Sequence, residues 1–65
     1  MNNFIKEHRL KNGLTQEELS KLVNVRRETI VFLEQNKYIP SLKLGFDLSK
    51  VLGVKIEDLF SFDNE

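Results

Sequence analysis

Apolar residues recur at helical spacing through most of the chain. Leu22 and Val23 lie three and four positions after Leu19, and a second set with similar spacing lies between residues 44 and 52. Side chains at that spacing share one face of a helix, and we expect this face to be buried in the core. Alternation with a period of two, which is typical of strands, occurs only in the tail, at residues 59–62. The pattern predicts an all-α fold whose tail is either a frayed helix end or a short strand.

Capping and helix-breaking residues divide this pattern into five helices. Side-chain oxygens of Asn, Thr and Ser can accept hydrogen bonds from the free amides of a first helical turn, and Gly and Asn tolerate the left-handed conformation that often follows a last turn. The expected helix starts are Asn2 or Asn3, Thr15, Arg26 or Arg27, Ser41 and Ile56. The expected ends are Gly13, Asn24, Asn36, Gly53 and Phe60.

Residues 15–36 form the most informative segment. The run Thr-Gln-Glu-Glu at its start has the sequence of a capping box, in which the Thr15 hydroxyl and the Glu18 carboxylate each accept from the other residue's amide. A tight turn then leads to a helix with Ile30 and Leu33 on its inner side. Two helices joined in this way form a helix-turn-helix, whose second helix fits the major groove of DNA.

Composition limits the chain to a small globular unit. Sixty-five residues, of which 40% are hydrophobic and 31% charged, fit one small core, so we expect a single domain over residues 1–65. The absence of Cys excludes disulfides and thiolate zinc sites, and one His is too few for a histidine metal cluster. Regular helix packing, a second subunit or both must therefore supply the stability.

Charge is balanced overall but unevenly distributed along the chain. Ten basic and ten acidic residues give a net charge of zero. Residues 1–43 hold eight basic and five acidic residues, a net charge of +3, whereas residues 44–65 hold two and five, a net charge of −3. A dipolar molecule of this kind can orient its basic front towards an anion. Chance asymmetry on a solvated surface is the alternative.

Several classes of protein are not expected from this sequence. No run approaches the ~18 apolar residues of a membrane span, and the first ten residues lack the apolar stretch of a secretory signal. Together with the absence of Cys, this favours the cytoplasm. The sequence shows no nucleophile–base pair, carboxylate dyad or glycine-rich phosphate loop, so we expect neither an enzyme nor a cofactor.

Short motifs occur in a fixed order along almost the whole chain. They are Arg9, Leu14-Thr15-Gln16-Glu17-Glu18-Leu19, Val25-Arg26-Arg27-Glu28-Thr29-Ile30, Leu33-Glu34, Lys37, Pro40-Ser41 and Leu52-Gly53-Val54. In this order they resemble the lambda repressor/Cro type of helix-turn-helix, often called the Xre family. The resemblance implies a compact five-helix domain and a sequence-specific, double-stranded-DNA-binding transcriptional regulator, a repressor by expectation. The later motifs are similar to those of very short bacterial and archaeal regulators that act as dimers.

The resemblance also implies roles for individual residues. The base-contacting residues would be Arg27, Glu28, Thr29 and Val31. An arginine suits guanine O6 and N7, and a glutamate can accept from cytosine N4. The phosphate-contacting residues would be Gln16, Arg26, Lys37 and Tyr38. Arg9 and Glu34 match the positions of a partly buried structural ion pair.

Three questions stay open on the sequence alone. The alternative for Arg27 and Glu28 is a solvated surface ion pair. The alternatives for Phe32 are that its side chain faces DNA, the core or a partner. The alternative function is a protein-interaction module of the same fold, such as an antitoxin or an antirepressor.

The small core and the apolar tail lead us to expect a homodimer. The expected seam is Ile56, Leu59, Phe60 and Phe62, because a seam there leaves the basic front of the chain free for an operator. Leu59, Phe60 and Phe62 are also expected to belong partly to the core. No effector domain is evident in the sequence, so no small-molecule effector is expected.

Overall fold

Within residues 2–61, which the computed structural model describes, five helices and one short ribbon make up the fold. In chain order the elements are β1 (Asn2–Asn3), α1 (Ile5–Lys11), α2 (Gln16–Leu22), α3 (Arg27–Glu34), α4 (Leu42–Leu52), α5 (Ile56–Leu59) and β2 (Phe60–Ser61). The prediction of a five-helix, essentially all-α fold is confirmed. Of the two alternatives for the tail, the structure has the strand.

The ribbon joins the two ends of the described chain. β1 and β2 run antiparallel, with Asn3 opposite Phe60. Beside this pairing, the Phe4 amide donates to the Leu59 carbonyl at 2.8 Å. The start of the chain is therefore fixed by its far end, a contact that local sequence patterns do not encode.

α1 begins without the side-chain cap that the sequence predicted. Asn2 and Asn3 lie in β1, and the N-cap residue is Phe4, which makes no capping bond with its side chain. The expectation that an asparagine occupies the N-cap is therefore wrong, because pairing with β2 holds both asparagines in the strand one residue earlier. Asn3 Oδ1 still accepts from the Ile5 amide at 3.2 Å, so one amide of the first turn is satisfied from the strand.

The predicted caps of α2 and α4 are present. Thr15 Oγ1 accepts from the Glu18 amide at 3.0 Å, and Glu18 Oε1 accepts from the Thr15 amide at 2.8 Å. These two bonds are the two halves of a capping box. At the start of α4, Ser41 Oγ accepts from the Leu44 amide at 3.1 Å.

Left-handed residues follow four of the helices, at the ends that the sequence predicted. Gly13 has φ = 70°, Asn24 has φ = 61°, Asn36 has φ = 60° and Gly53 has φ = 71°. Asparagine and glycine are the residues that adopt this conformation most readily. Asn24 provides the sharp turn that leads from α2 to α3.

One apolar core receives side chains from all five helices and from β2. Its members are Ile5, Leu19, Val23, Ile30, Leu33, Leu44, Leu48, Leu52, Leu59 and Phe60.

Leu22, which the sequence placed in the core, is 57% exposed instead. The small Ser20 is buried instead, beside Leu19 and Val23. A small side chain at a helix contact allows the two axes to approach closely, which suits the short turn between α2 and α3.

The expected dimer seam needs a correction for two of its residues. Leu59 is fully buried and Phe60 is only 9% exposed, and both belong to the core. A core this small uses the apolar side chains of the tail to close itself, so these two residues offer little surface to a partner. Ile56 is half-buried, and Phe62 lies outside the described residues.

The described part of the chain contains no helix long and apolar enough to cross a bilayer. Residues 2–61 also contain no cluster of three or more His, Asp or Glu side chains that could hold a metal ion. In the same range, every buried side-chain nitrogen or oxygen has a hydrogen-bond partner.

We expect Thr15→Ala to lower the free energy of unfolding by about 1 kcal/mol, because it removes the acceptor for the Glu18 amide. For a domain of this size, that change lowers the melting temperature by roughly 4–8 °C. Thermal or urea denaturation followed by circular dichroism measures it. Thr15→Ser keeps the hydroxyl and is the control. Equal midpoints for Thr15→Ala and the wild type would show that the capping box adds nothing.

Candidate nucleic-acid interface

α2 and α3 form a helix-turn-helix that is held by buried side chains and by a hydrogen bond in the turn. On α3, Ile30 and Leu33 are fully buried and face the core. The turn is closed by the Val25 amide, which donates to the Ser20 carbonyl at 2.9 Å. α3 is therefore held by its inner side and by the turn, and its other side is left to solvent.

The outer face of α3 consists of Arg27, Glu28, Val31 and Phe32. Residues four apart on a helix lie one above the other, so Arg27 and Val31 form one row, and Glu28 and Phe32 form the next. Arg27, Glu28 and Phe32 are exposed and Val31 is half-buried. The structure thus brings a cation, an anion and two apolar groups onto one accessible surface of a single helix.

Thr29 lies on the flank of α3 rather than on this outer face. It is half-buried and lines a hollow between the turn and α4, together with Val25, Tyr38 and Asp47. Its predicted contact with bases is therefore less direct than that of Arg27 or Glu28.

Cations stand at both ends of α3. Arg26 is the N-cap residue, is exposed and makes no capping bond with its side chain. Lys37 follows the helix, and its amide donates to the Phe32 carbonyl at 2.9 Å. Lys37 and Tyr38 are both exposed. The phosphate-contacting residues predicted around α3 therefore bracket its outer face.

A buried polar cluster fixes the inner side of the helix-turn-helix. Arg9 Nε donates to Glu34 Oε2 at 2.7 Å and Arg9 Nη2 to Glu34 Oε1 at 3.3 Å. Arg9 Nη1 donates to the Leu14 carbonyl at 2.8 Å, and Gln16 Nε2 donates to Glu34 Oε1 at 3.1 Å. The side chains of Arg9 and Glu34 are only 9% and 5% exposed. The ion pair expected at these positions is present, and it links α1, α2 and α3.

Gln16 therefore has a role that the sequence did not indicate. The resemblance assigned it to DNA phosphate, whereas its amide donates to Glu34 within the fold. A glutamine amide carries two N–H groups, so one remains for a second acceptor.

Asn3 holds the far end of α3 and was missed by sequence reasoning. Its Nδ2 donates to the Leu33 carbonyl at 2.7 Å and to Asn36 Oδ1 at 2.8 Å. The contact spans 30 or more positions along the chain. No local signal could have found it, because it depends on the pairing of β1 with β2.

Comparisons with known proteins agree with this geometry. The helix-turn-helix family model matches residues 5–59. An uncharacterized HTH-type transcriptional regulator of Archaeoglobus fulgidus is 58% identical over 65 residues, which cover all of this chain and 93% of the relative. A regulator described in the same way in Bacillus subtilis is 38% identical, over all of this chain and 98% of the relative.

A solved structure is also similar. The restriction-modification controller protein C.AhdI of Aeromonas hydrophila superposes with a TM-score of 0.79 at 28% identity. The match covers 86% of this chain and 85% of the controller protein. The likeness therefore extends over most of both folds.

We expect Glu34→Gln to destabilise the fold by about 3 kcal/mol, because the Arg9 guanidinium would stay buried without its counter-charge. The matched control is Asp47→Asn, which breaks the Lys43–Asp47 pair at the surface and should cost less than about 1 kcal/mol. Urea unfolding of the three proteins measures the difference. A wild-type midpoint for Glu34→Gln would show that the buried pair is energetically no different from a surface contact.

Proposed function

The chain belongs to the lambda repressor/Cro-type helix-turn-helix family of transcriptional regulators, and on that premise we propose that it is a repressor. It acts as a homodimer that binds a specific operator in double-stranded DNA, with α3 of each protomer in the major groove. Residues 1–65 serve as a single DNA-binding domain, and the site of action is the cytoplasm. The relatives are named as regulators, which points away from an enzyme.

The observation that carries the proposal is the outer face of α3. A helix can enter the major groove only if one side is free, and here the core side chains Ile30 and Leu33 lie on the opposite side. The free side presents a guanidinium and a carboxylate in its first turn. Arg27 matches guanine O6 and N7, and Glu28 matches the amino group of cytosine. The two can therefore contact a guanine–cytosine step.

Phosphate contacts fix how the helix is seated. Arg26 and Lys37 stand at the two ends of α3 and are exposed, so they can contact the sugar–phosphate backbone on either side of the groove. Tyr38 adds a hydroxyl beside Lys37. One N–H of the Gln16 amide is bonded to Glu34, and the second can donate to a further phosphate. The buried cluster and the DNA backbone would then be joined through one amide.

The dimer surface is proposed where apolar side chains are exposed. Ile39 is 75% exposed and Leu42 is 74% exposed. With Ile56 they line a shallow groove at the start of α4, and Phe46 lies one turn further on the same face of α4. Among the described residues, Ile56 and the largely buried Phe60 are the members of the sequence-based seam that line this groove. To bind two half-sites one turn of DNA apart, the dimer needs its two recognition helices ~34 Å apart.

We expect Arg27→Ala and Lys37→Ala to weaken DNA binding in different ways. Loss of Arg27 should cost ~1–3 kcal/mol on the operator and relax the preference at one base pair. Loss of Lys37 should weaken all sequences about equally and reduce the salt slope by roughly one per protomer. Fluorescence anisotropy on operator and scrambled duplexes across a salt series measures both effects, after the operator has been selected from a random pool.

Lys6→Ala is the matched control, since Lys6 is an exposed lysine on α1 with no predicted phosphate contact. Equal losses for Arg27→Ala on both duplexes would make Arg27 a phosphate contact. A wild-type chain that selects no sequence, with both variants unchanged, would remove α3 as the DNA-contacting element and favour the interaction-module alternative.

We expect the wild-type chain to sediment as a dimer at tens of micromolar and Leu42→Glu to shift it to the monomer. A buried carboxylate without a partner destabilises an apolar interface. Leu10→Glu places the same charge on an exposed leucine of α1 and should leave the dimer intact. Analytical ultracentrifugation decides the matter. A monomeric wild type, or equal behaviour of the two variants, would contradict the proposed surface.

A further inference from the structure

Phe32 is a large aromatic residue on a helix whose core positions are already occupied. It is 48% exposed, whereas Ile30 and Leu33 on the same helix are fully buried. We infer that Phe32 is a specificity-determining residue that contacts the C5-methyl group of a thymine in the major groove. This inference rests on the proposed function.

The position of Phe32 places it beyond the polar base contacts along the groove. It lies one helical turn after Glu28 and five residues after Arg27, roughly 7.5 Å further along the helix axis. Stacked base pairs are ~3.4 Å apart. Because a helix in the major groove lies oblique to the DNA axis, Phe32 meets a base pair one or two steps away from the one that Arg27 contacts.

The surroundings of Phe32 favour a polyanion over an apolar protein surface. Exposed Arg26 and Arg27 lie at the start of α3, and exposed Lys37 follows its end, where the Lys37 amide donates to the Phe32 carbonyl at 2.9 Å. Glu28 is the one acidic residue on the outer face of α3, so cations outnumber anions around the ring. A protein partner that covered the ring would have to desolvate these cations, at considerable cost. DNA offers phosphates to the cations and base edges to the ring in the same complex.

The chemistry of the ring selects one base. A phenyl group neither donates nor accepts a conventional hydrogen bond, so against guanine O6, cytosine N4 or adenine N6 it would displace water from a polar atom without replacing its hydrogen bond. Thymine is the base that presents an apolar group, its C5-methyl, in the major groove. A thymine at this step of each half-site is therefore the base that fits Phe32.

The test compares thymine with deoxyuridine, which has the same hydrogen-bonding edge but lacks the methyl group. An operator is first selected from random duplex DNA with the wild-type chain, and each thymine of one half-site is then replaced singly by deoxyuridine. We expect one replacement to weaken wild-type binding roughly three- to fivefold, the value of one methyl group withdrawn from water. Phe32→Ala should bind the two duplexes equally, and Phe32→Leu should keep part of the difference.

Phe4→Ala is the matched control. Phe4 is 42% exposed, close to the exposure of Phe32, and lies before α1, outside α3 and the proposed dimer surface. Its loss should leave the ratio of thymine to deoxyuridine affinities unchanged. Circular dichroism and sedimentation of each variant separate a loss of fold or of the dimer from a loss of the methyl contact.

Several outcomes would overturn the inference while the proposed function stands. The first is a selected half-site in which no replacement of thymine by deoxyuridine weakens wild-type binding. The second is a difference between thymine and deoxyuridine affinities that persists in Phe32→Ala. The third is a Phe32→Ala chain that sediments differently from the wild type but has the same ratio of thymine to deoxyuridine affinities. The last would place Phe32 in a protein interface. Failure of the wild-type chain to select any sequence would overturn both the inference and the proposed function.

Discussion

The placement of the helix-turn-helix depends on one buried ion pair. Arg9 and Glu34 come from α1 and α3 and are almost completely removed from water, and such burial is tolerable only when the two charges are matched and hydrogen-bonded. Two bonds from the guanidinium to the carboxylate, one to the Leu14 carbonyl and one from Gln16 supply that match. Because planar guanidinium and carboxylate groups pair in few geometries, the cluster determines how α3 sits on the other two helices. The orientation of the outer face of α3 is therefore set by contacts in the interior of the fold.

The second constraint is the size of the chain. With 65 residues, the chain forms only a small core, and residues near both ends of the described chain take part in it. Leu59 and Phe60 fill the core, and β2 pairs with β1. The same pairing positions Asn3 to bond the last turn of α3. The pairing that closes the small core therefore also fixes the last turn of α3, close to Lys37.

Local chemistry in the sequence predicted most of the helix-turn-helix. The capping box at Thr15 and the left-handed turn at Asn24 depend on neighbouring residues, and both are where the sequence placed them. The errors concern residues whose surroundings come from distant parts of the chain. Leu22 fits the periodic pattern, yet the close contact of α2 with α3 suits the small Ser20 better. The sequence favours a dimer seam in the tail, because the pairing of β2 with β1 cannot be predicted from either segment alone.

The zero net charge of the chain is consistent with an outer face of α3 that carries both polar and apolar groups. A chain with no net charge gains little general attraction to DNA, and the described cations that bracket α3 are few. Affinity that depends on few phosphates is weak and falls modestly with salt, so in the proposed complex discrimination has to come from base edges. In that complex, Arg27 and Glu28 would supply polar contacts, and Val31 and Phe32 would supply apolar ones that lose little at high salt. In the proposed dimer, a second protomer would repeat the set one helical turn away, and the two weak half-site interactions would act together.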